Sequence, residues 1–182
     1  IKVPVESVLT FKLDQPLRGA EQRPYREAAG IGTVTEGCRQ KIIEAGAAPG
    51  RVVVVPNGVN TDVYRPDAPP PALPEWSGQF VCLYAGTQGY IHAVETVIGA
   101  AERLRDRRDI LFVLLGGGAE KEGLAAAARE RGLENVHFLP PRPPVELAGC
   151  IARADVALAT LRDCPLSAVS YTHLRAHETG RN

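Results

Sequence analysis

The sequence of 182 residues has no methionine, a single tryptophan and no excess of either charge. Its 21 Lys and Arg residues balance 21 Asp and Glu residues, so it lacks the basic surplus with which proteins displace counterions from nucleic acid. No apolar run approaches the roughly 20 residues that span a bilayer, and the first residues lack the pattern of a signal peptide. We therefore expect a soluble globular protein without a nucleic-acid partner.

Cysteine is also scarce, because the sequence has only Cys38, Cys82, Cys150 and Cys164. They form no CxxC pair and have no histidine at ligand spacing, which argues against both a zinc site and a disulfide framework. Cys82 lies in an apolar run, where a buried thiol acts as a small hydrophobic side chain. We predict no zinc site and a reducing, cytoplasmic location. The absence of methionine favours a fragment over a processed protein.

The first third of the chain predicts short helices and strands. We expect a helix over 21–29 that Gly30 ends, a strand over 31–34, and a helix over 36–44 that Thr35 caps and Gly46 closes. Four consecutive valines within 51–55 predict a strand buried on both faces.

After a proline-rich stretch, strands and helices alternate strictly. This alternation predicts an α/β fold with a Rossmann-like parallel sheet and helices on both faces. We divide the chain into a segment over 1–66, an exposed linker over 67–79 and a partial Rossmann-like domain over 80–168. The expected strands cover 80–84, 110–115, 136–139 and 155–160, and the helices cover about 93–105, 119–131 and 145–154.

The last residues, 169–182, have neither periodicity nor a buried pattern. Their string VSYTHLRAHET resembles translated sequencing-adapter DNA, and a natural disordered tail is the alternative. Because segments of either kind are excluded from fold reasoning, we give no metal-binding role to His173 and His177.

Six strings in order resemble the family 4 (group 1) glycosyltransferases of GT-B fold, with the bacterial exopolysaccharide and O-antigen enzymes the most similar. Asn60 stands where Asp is usual in the family, and Tyr64 where Phe is usual. The resemblance implies that the chain combines the end of an acceptor domain with a truncated donor domain. The strings are TVTEGCRQKIIEAG (33–46), RVVVVPNGVNTDVYRP (51–66), YAGTQG (84–89), FVLLGGG (112–118), NVHFLP (135–140) and ARADVAL (152–158).

This resemblance implies a site for the diphosphate of a nucleotide sugar after the first strand of the donor domain. The candidate residues are Gly86, Thr87, Gly89 and His92, although many family members have Arg and Lys where Thr87 and His92 stand. Glycines there let backbone N–H groups approach an anion. A tight turn is the alternative role of Gly89, and packing or solvation that of His92. We expect Gly116–Gly118 to be mainly a tight connection.

The loop after the third strand is implied to contact the nucleotide base through Leu139, Pro140, Pro141 and Arg142. The alternatives are a rigid proline turn and, for Arg142, a solvated surface cation. The family's donor-binding glutamates would follow the fourth strand, and the sequence ends before them. We therefore name no catalytic residue.

The resemblance predicts transfer of a sugar from a UDP or GDP sugar to a lipid-linked or polysaccharide acceptor, with retention of configuration. It further implies that neither a metal nor another cofactor is bound. The parent protein would act in the cytoplasm or as a peripheral protein at the inner face of the membrane. Two alternatives remain. An incomplete module would bind nothing tightly, whereas a dinucleotide-binding oxidoreductase would need GxGxxG after the first strand, where this chain has GTQGYI.

Overall fold

A computed structural model describes residues 22–69, 71 and 76–162. The chain divides into two compact units, with the boundary between Asn57 and Gly58. Residues 1–21, Cys164 and the tail with its two histidines lie outside the described residues, as does the first residue of the helix predicted over 21–29. None of the helices in the described ranges has the length and apolarity needed to cross a membrane.

Over its described residues, the first unit contains a parallel pair of short strands and two α-helices. Thr35 caps the second helix as predicted, because its hydroxyl accepts the N–H of Cys38 at 3.1 Å. The helix is followed by Gly46 at a φ of 110°, which favours glycine. The elements are α1 (Gln22–Glu27), β1 (Ile31–Thr33), α2 (Glu36–Glu44) and β2 (Val52–Val54), with Ile31 opposite Val52 and Thr33 opposite Val54.

The prediction that the valine strand is buried on both faces is wrong. Val52 is 4% exposed, whereas Val53 and Val55 are 58% and 60% exposed. Successive side chains of a strand point to opposite faces, and α2 packs against β2. Within the described residues, the face that carries Val53 is therefore left uncovered.

The second unit is a four-stranded parallel sheet in the order β5-β4-β3-β6. The predicted strands over 110–115 and 136–139 are confirmed residue for residue. The elements are β3 (Phe80–Ala85), α3 (Glu95–Arg103), β4 (Ile110–Leu115), α4 (Lys121–Glu130), β5 (Val136–Leu139), α5 (Pro144–Arg153) and β6 (Val156–Leu158).

Helices cover both faces of this sheet, which confirms the predicted Rossmann-like architecture. Alternate side chains of β3 and β4 enter two separate apolar clusters. The cluster on one face includes α3 and α4 side chains, and that on the other includes α5 side chains and Trp76. The first contains Cys82, Tyr84, Phe112 and Leu114 from the strands, and the second contains Val81, Leu83, Leu111, Val113 and Leu115.

Several details differ from the sequence-based expectation. The strand predicted over 155–160 is shorter, since β6 covers only Val156–Leu158. The helix predicted from residue 93 begins at Glu95, because Ala93 has a φ of 49°, a conformation that an α-helix does not contain. Trp76 falls within the predicted linker, yet it is only 1% exposed. It lies in the apolar cluster beneath α5, so the exposed character predicted for the linker does not extend to Trp76.

The cysteines give a direct test of this packing. Burial raises the pKa of the thiols of Cys82 and Cys150, whereas Cys38 is only partly covered. Because the thiolate is the reactive form, iodoacetamide at pH 8 should alkylate Cys38 much faster than the other two, as measured by peptide mass spectrometry. Denaturant should remove the difference, and equal rates in the folded protein would contradict the assigned core.

Candidate functional site

The order of the strands reverses at the carboxyl ends of β3 and β6, the position at which open α/β sheets form their ligand crevice. The chain passes from β3 to β4 on one side, and β6 pairs with the opposite edge of β3. Ligands of open α/β sheets bind at such a reversal of strand order. The segments that follow the two strands meet here, since the Thr160 hydroxyl donates to the carbonyl of His92 at 2.6 Å.

The loop after β3 is held by hydrogen bonds to its neighbours. The N–H of Gly86 donates to Leu115 O at 3.0 Å, and the N–H of Gln88 donates to Gly117 O at 2.7 Å. The Tyr84 hydroxyl donates to the carbonyl of Thr87. In the described part of the chain, the N–H groups of Thr87 and Gly89 have no such acceptor. These two N–H groups are therefore the candidates for binding an anion at this loop.

The turn after β4 packs backbone against backbone on this loop. Gly116 and Gly118 have φ angles of 144° and 149°, which favour glycine. A Cβ atom on Gly118 would lie 2.5 Å from the carbonyl carbon of Gln88, and one on Gly116 would lie 3.0 Å from that of Gly86. The structural role predicted for Gly116–Gly118 is therefore confirmed.

Gly89 differs from those glycines in its conformation. Its φ of −134° is extended, and a Cβ atom there would meet nothing closer than the His92 ring at 3.8 Å. Neither a tight turn nor crowding within the protein therefore requires glycine at this position.

His92 lies at the end of the same loop. Nδ1 of His92 is buried and finds no hydrogen-bond partner among the described residues.

Gln88 is a feature that the sequence-based analysis missed. Its side chain is 0% exposed, and neither its Oε1 nor its Nε2 has a hydrogen-bond partner within the described ranges. A buried amide without partners costs about 1–3 kcal/mol. Such a group indicates a position that receives a polar atom, and the one available sequence signal was its place in the string GTQG (86–89).

A lysine connects the glycine turn to the residues predicted to contact the base. Nζ of Lys121 donates to the carbonyls of Gly116 and Leu139, each at 2.8 Å. The N–H of Gly116 donates to that same Leu139 carbonyl. The ammonium group therefore fixes the carboxyl ends of β4 and β5 together. Its position in the first turn of α4 was the only sequence signal.

The remaining candidates for the base site surround this junction. Pro140 and Pro141 are exposed, and the Pro141 ring approaches Gly117, where an added Cβ atom would lie 3.6 Å from it. Arg142 is partly buried and pairs with Glu146 of α5 at 3.0 Å. It is therefore held against α5 by an ion pair. Burial raises the pKa of the Cys150 thiol, and the positive charge of Arg142 acts in the opposite direction.

Both groups of predicted residues lie at the carboxyl edge of one sheet. The glycine turn contacts the loop after β3 on one side and the residues after β5 on the other, so it joins the two groups. A groove of about 520 Å³ lies elsewhere, along α4 and β5, and shares only Lys121 with this edge. Over the described ranges, no three His, Cys, Asp or Glu side chains are grouped to hold a metal ion.

Comparison with known proteins identifies the family. The family model described as glycosyl transferases group 1 matches residues 70–167, which include the whole sheet of the second unit. The chain belongs to the group 1 glycosyltransferases. This confirms the resemblance of the sequence motifs to group 1 glycosyltransferases.

Curated relatives agree with this assignment. The chain is 30% identical over 135 residues to the putative colanic acid biosynthesis glycosyl transferase WcaI of Escherichia coli. This alignment covers 71% of this chain and 33% of WcaI. It is 33% identical over 162 residues to the 2-deoxystreptamine glucosyltransferase of Streptomyces kanamyceticus, covering 81% of this chain and 41% of that enzyme. The chain thus spans about a third to two fifths of these relatives.

Solved structures show the same fold. The Anabaena protein HepE in complex with UDP and glucose superposes with a TM-score of 0.63 at 19% identity, over 80% of this chain and 41% of that protein. WaaG, a glycosyltransferase of lipopolysaccharide biosynthesis, superposes with a TM-score of 0.60 at 20% identity, over 79% and 41%. The fold of this chain is thus the Rossmann-like α/β fold found in GT-B glycosyltransferases.

Adjacent glycines provide a matched test of the packing at this edge. Gly118→Ala places a methyl group into the backbone of Gln88 at a φ that favours glycine, so the free energy of unfolding should fall by about 2–4 kcal/mol. Gly117→Ala has room for its methyl group and should lower it by less than about 1 kcal/mol. Urea titrations followed by circular dichroism measure both values. Equal losses would contradict the described packing.

Proposed function

We propose that this chain is part of a family 4 glycosyltransferase of the exopolysaccharide or O-antigen type and contains much of its donor site. The parent enzyme transfers a sugar from a UDP or GDP sugar to a lipid-linked or polysaccharide acceptor, with retention of configuration. The observation that carries the proposal is the match of the family to residues 70–167. That range contains the crevice between β3 and β6 and the loops around it.

The names of the similar proteins support this class of substrate. HepE was solved with UDP and with UDP-glucose, and WcaI is named for colanic acid biosynthesis. We extend a nucleotide-sugar donor and a glycan acceptor to this chain as part of the proposal. The action of the parent in the cytoplasm or as a peripheral protein at the inner face of the membrane belongs to the same proposal.

The contacts of the loop after β3 indicate how it would bind the diphosphate. Since the N–H groups of Gly86 and Gln88 donate within the protein, those of Thr87 and Gly89 are the donors left for phosphate oxygens. They would stabilise the departing diphosphate, which carries the charge that develops during transfer. The buried amide of Gln88 supplies a polar group beside them, and His92 lies at the end of the same loop.

The residues after β5 would hold the nucleotide base. Leu139 is fixed by Lys121 and by Gly116, so the backbone of this loop is set before a ligand arrives. Pro140 and Pro141 then provide rigid apolar surface, and Arg142 borders the loop. We assign no catalytic residue, and we propose that this chain binds the donor without transferring the sugar by itself.

Calorimetric titration of the full chain tests the proposed function. We expect saturable binding of UDP or GDP and of the corresponding sugar nucleotide, because the edge offers a base site and a diphosphate site. NAD should give no signal, since the loop after β3 does not have the dinucleotide fingerprint. Tight binding of NAD, or no binding of either nucleoside diphosphate, would reject the proposal.

A glycine substitution separates ligand contact from folding. Gly89→Ala fits the unliganded loop, because its backbone is extended and the nearest atom to the new methyl group is 3.8 Å away. If phosphate oxygens approach this backbone, the methyl group should weaken binding of the diphosphate about tenfold, or about 1.4 kcal/mol, without changing the melting temperature.

Gly99→Ala is the matched control for this substitution. Gly99 lies in α3, and an added Cβ atom there meets nothing within 4 Å. This variant should bind the nucleotide as the unsubstituted chain does. Unchanged affinity of Gly89→Ala would remove Gly89 from the proposed diphosphate site.

A further inference from the structure

The loop that would receive the diphosphate carries little positive charge of its own. Residues 86–94 contain neither lysine nor arginine, and His92 is their only basic side chain. The acidic residue Glu95 then occupies the first turn of α3, where it partly offsets the favourable effect of the helix dipole on an anion. A cation beside the backbone N–H groups would strengthen binding of a diphosphate, and within this loop neither lysine nor arginine supplies one.

Among the described residues, three basic side chains lie near the carboxyl ends of the strands of the second unit. Two of them are held away from the crevice. Lys121 donates to the carbonyls of Gly116 and Leu139 at the ends of β4 and β5. Arg142 pairs with Glu146 in the first turn of α5. The third, Arg162, follows β6 and lies against the loop after β3, at the reversal of strand order.

Arg162 is held against this loop by several contacts. Its guanidinium group lies 4.1 Å from the centre of the Tyr90 ring, and its Nε donates to the carbonyl of Tyr90 at 3.0 Å. Its backbone N–H donates to Ile91 O at 2.8 Å, and its Nη2 pairs with Glu95. The planar group is therefore oriented before any ligand binds.

We propose that Arg162 is the cation that binds the donor diphosphate, supplied by the segment after β6 in place of a basic residue in the loop after β3. The inference rests on the proposed function, because it assumes a nucleoside diphosphate in the crevice. A guanidinium group has five N–H donors in a planar fork, so it binds phosphate oxygens through two bonds at once. Glu95 competes with the diphosphate for this group.

The first test compares a nucleoside diphosphate with its nucleoside. Arg162→Met should weaken binding of UDP by about ten- to a hundredfold, the effect of losing bonds to a charged group, while binding of uridine should change less than about twofold. The GDP and guanosine pair is used if GDP is the nucleotide that binds. Arg162→Lys keeps the charge without the fork and should show an intermediate loss. Competition titrations measure each affinity.

Arg108→Met is the matched control, because it removes the same charge at the opposite end of the sheet. Arg108 is exposed and lies just before β4, so this variant should bind UDP as the unsubstituted chain does. If Arg162 had a purely structural role, Arg162→Met would instead weaken the binding of UDP and of uridine by the same factor. That result would overturn the proposal.

The second test uses the competing carboxylate. Glu95→Gln removes the negative charge that pairs with Arg162, so UDP should bind about two- to fivefold more tightly. If the ion pair of Arg162 and Glu95 only stabilises the loop, Glu95→Gln should weaken UDP binding or leave it unchanged. Either outcome would contradict the proposal that Arg162 binds the diphosphate. An unsubstituted chain that binds neither diphosphate would overturn the proposed function, whereas normal UDP binding by Arg162→Met would overturn only this inference.

Discussion

The candidate site depends on one close contact, the packing of the Gly116–Gly118 turn against the backbone of residues 86–88. Because no side chain separates the two segments, the N–H groups of Gly86 and Gln88 reach carbonyls at the end of β4. This contact fixes the conformation of the loop after β3. Lys121 then continues the connection to Leu139, so the ends of three neighbouring strands form one rigid edge.

The sequence predicted the parts of the fold that local patterns determine. The apolar runs of β4 and β5 end at glycine or proline, and α2 begins after the capping residue Thr35, so their boundaries agreed with the structure. The predicted two-sided burial of the valine strand was wrong, because exposure of Val53 depends on which elements pack beside it. The start of α3 was misplaced for a related reason, since the left-handed conformation of Ala93 has no signature in an alanine.

The site likewise has features that local sequence patterns determine and features that depend on packing between distant elements. Glycines mark where a backbone must turn or approach another closely, and their positions are visible in the sequence. Lys121 and Arg162 were missed because their significance lies in contacts between distant positions, and Gln88 was missed because the burial of its side chain depends on the elements that pack around it. Lys121 reaches Leu139 across 18 residues, and Arg162 reaches Tyr90 across 72. Such contacts follow from the order of the strands, which composition and spacing do not reveal.

In the proposed arrangement, two elements share the binding of the diphosphate. The glycines of the loop after β3 let the ligand approach backbone N–H groups, but the loop has neither lysine nor arginine that could place a cation beside them. An arginine stacked on Tyr90 meets this need at a low entropic cost, since its planar group is oriented before binding. Tyr90 orients this guanidinium through its ring and its carbonyl. Glu95 pairs with the same group, and its carboxylate competes with the phosphate oxygens for the same N–H donors, so the affinity for a diphosphate depends on the balance between the two anions.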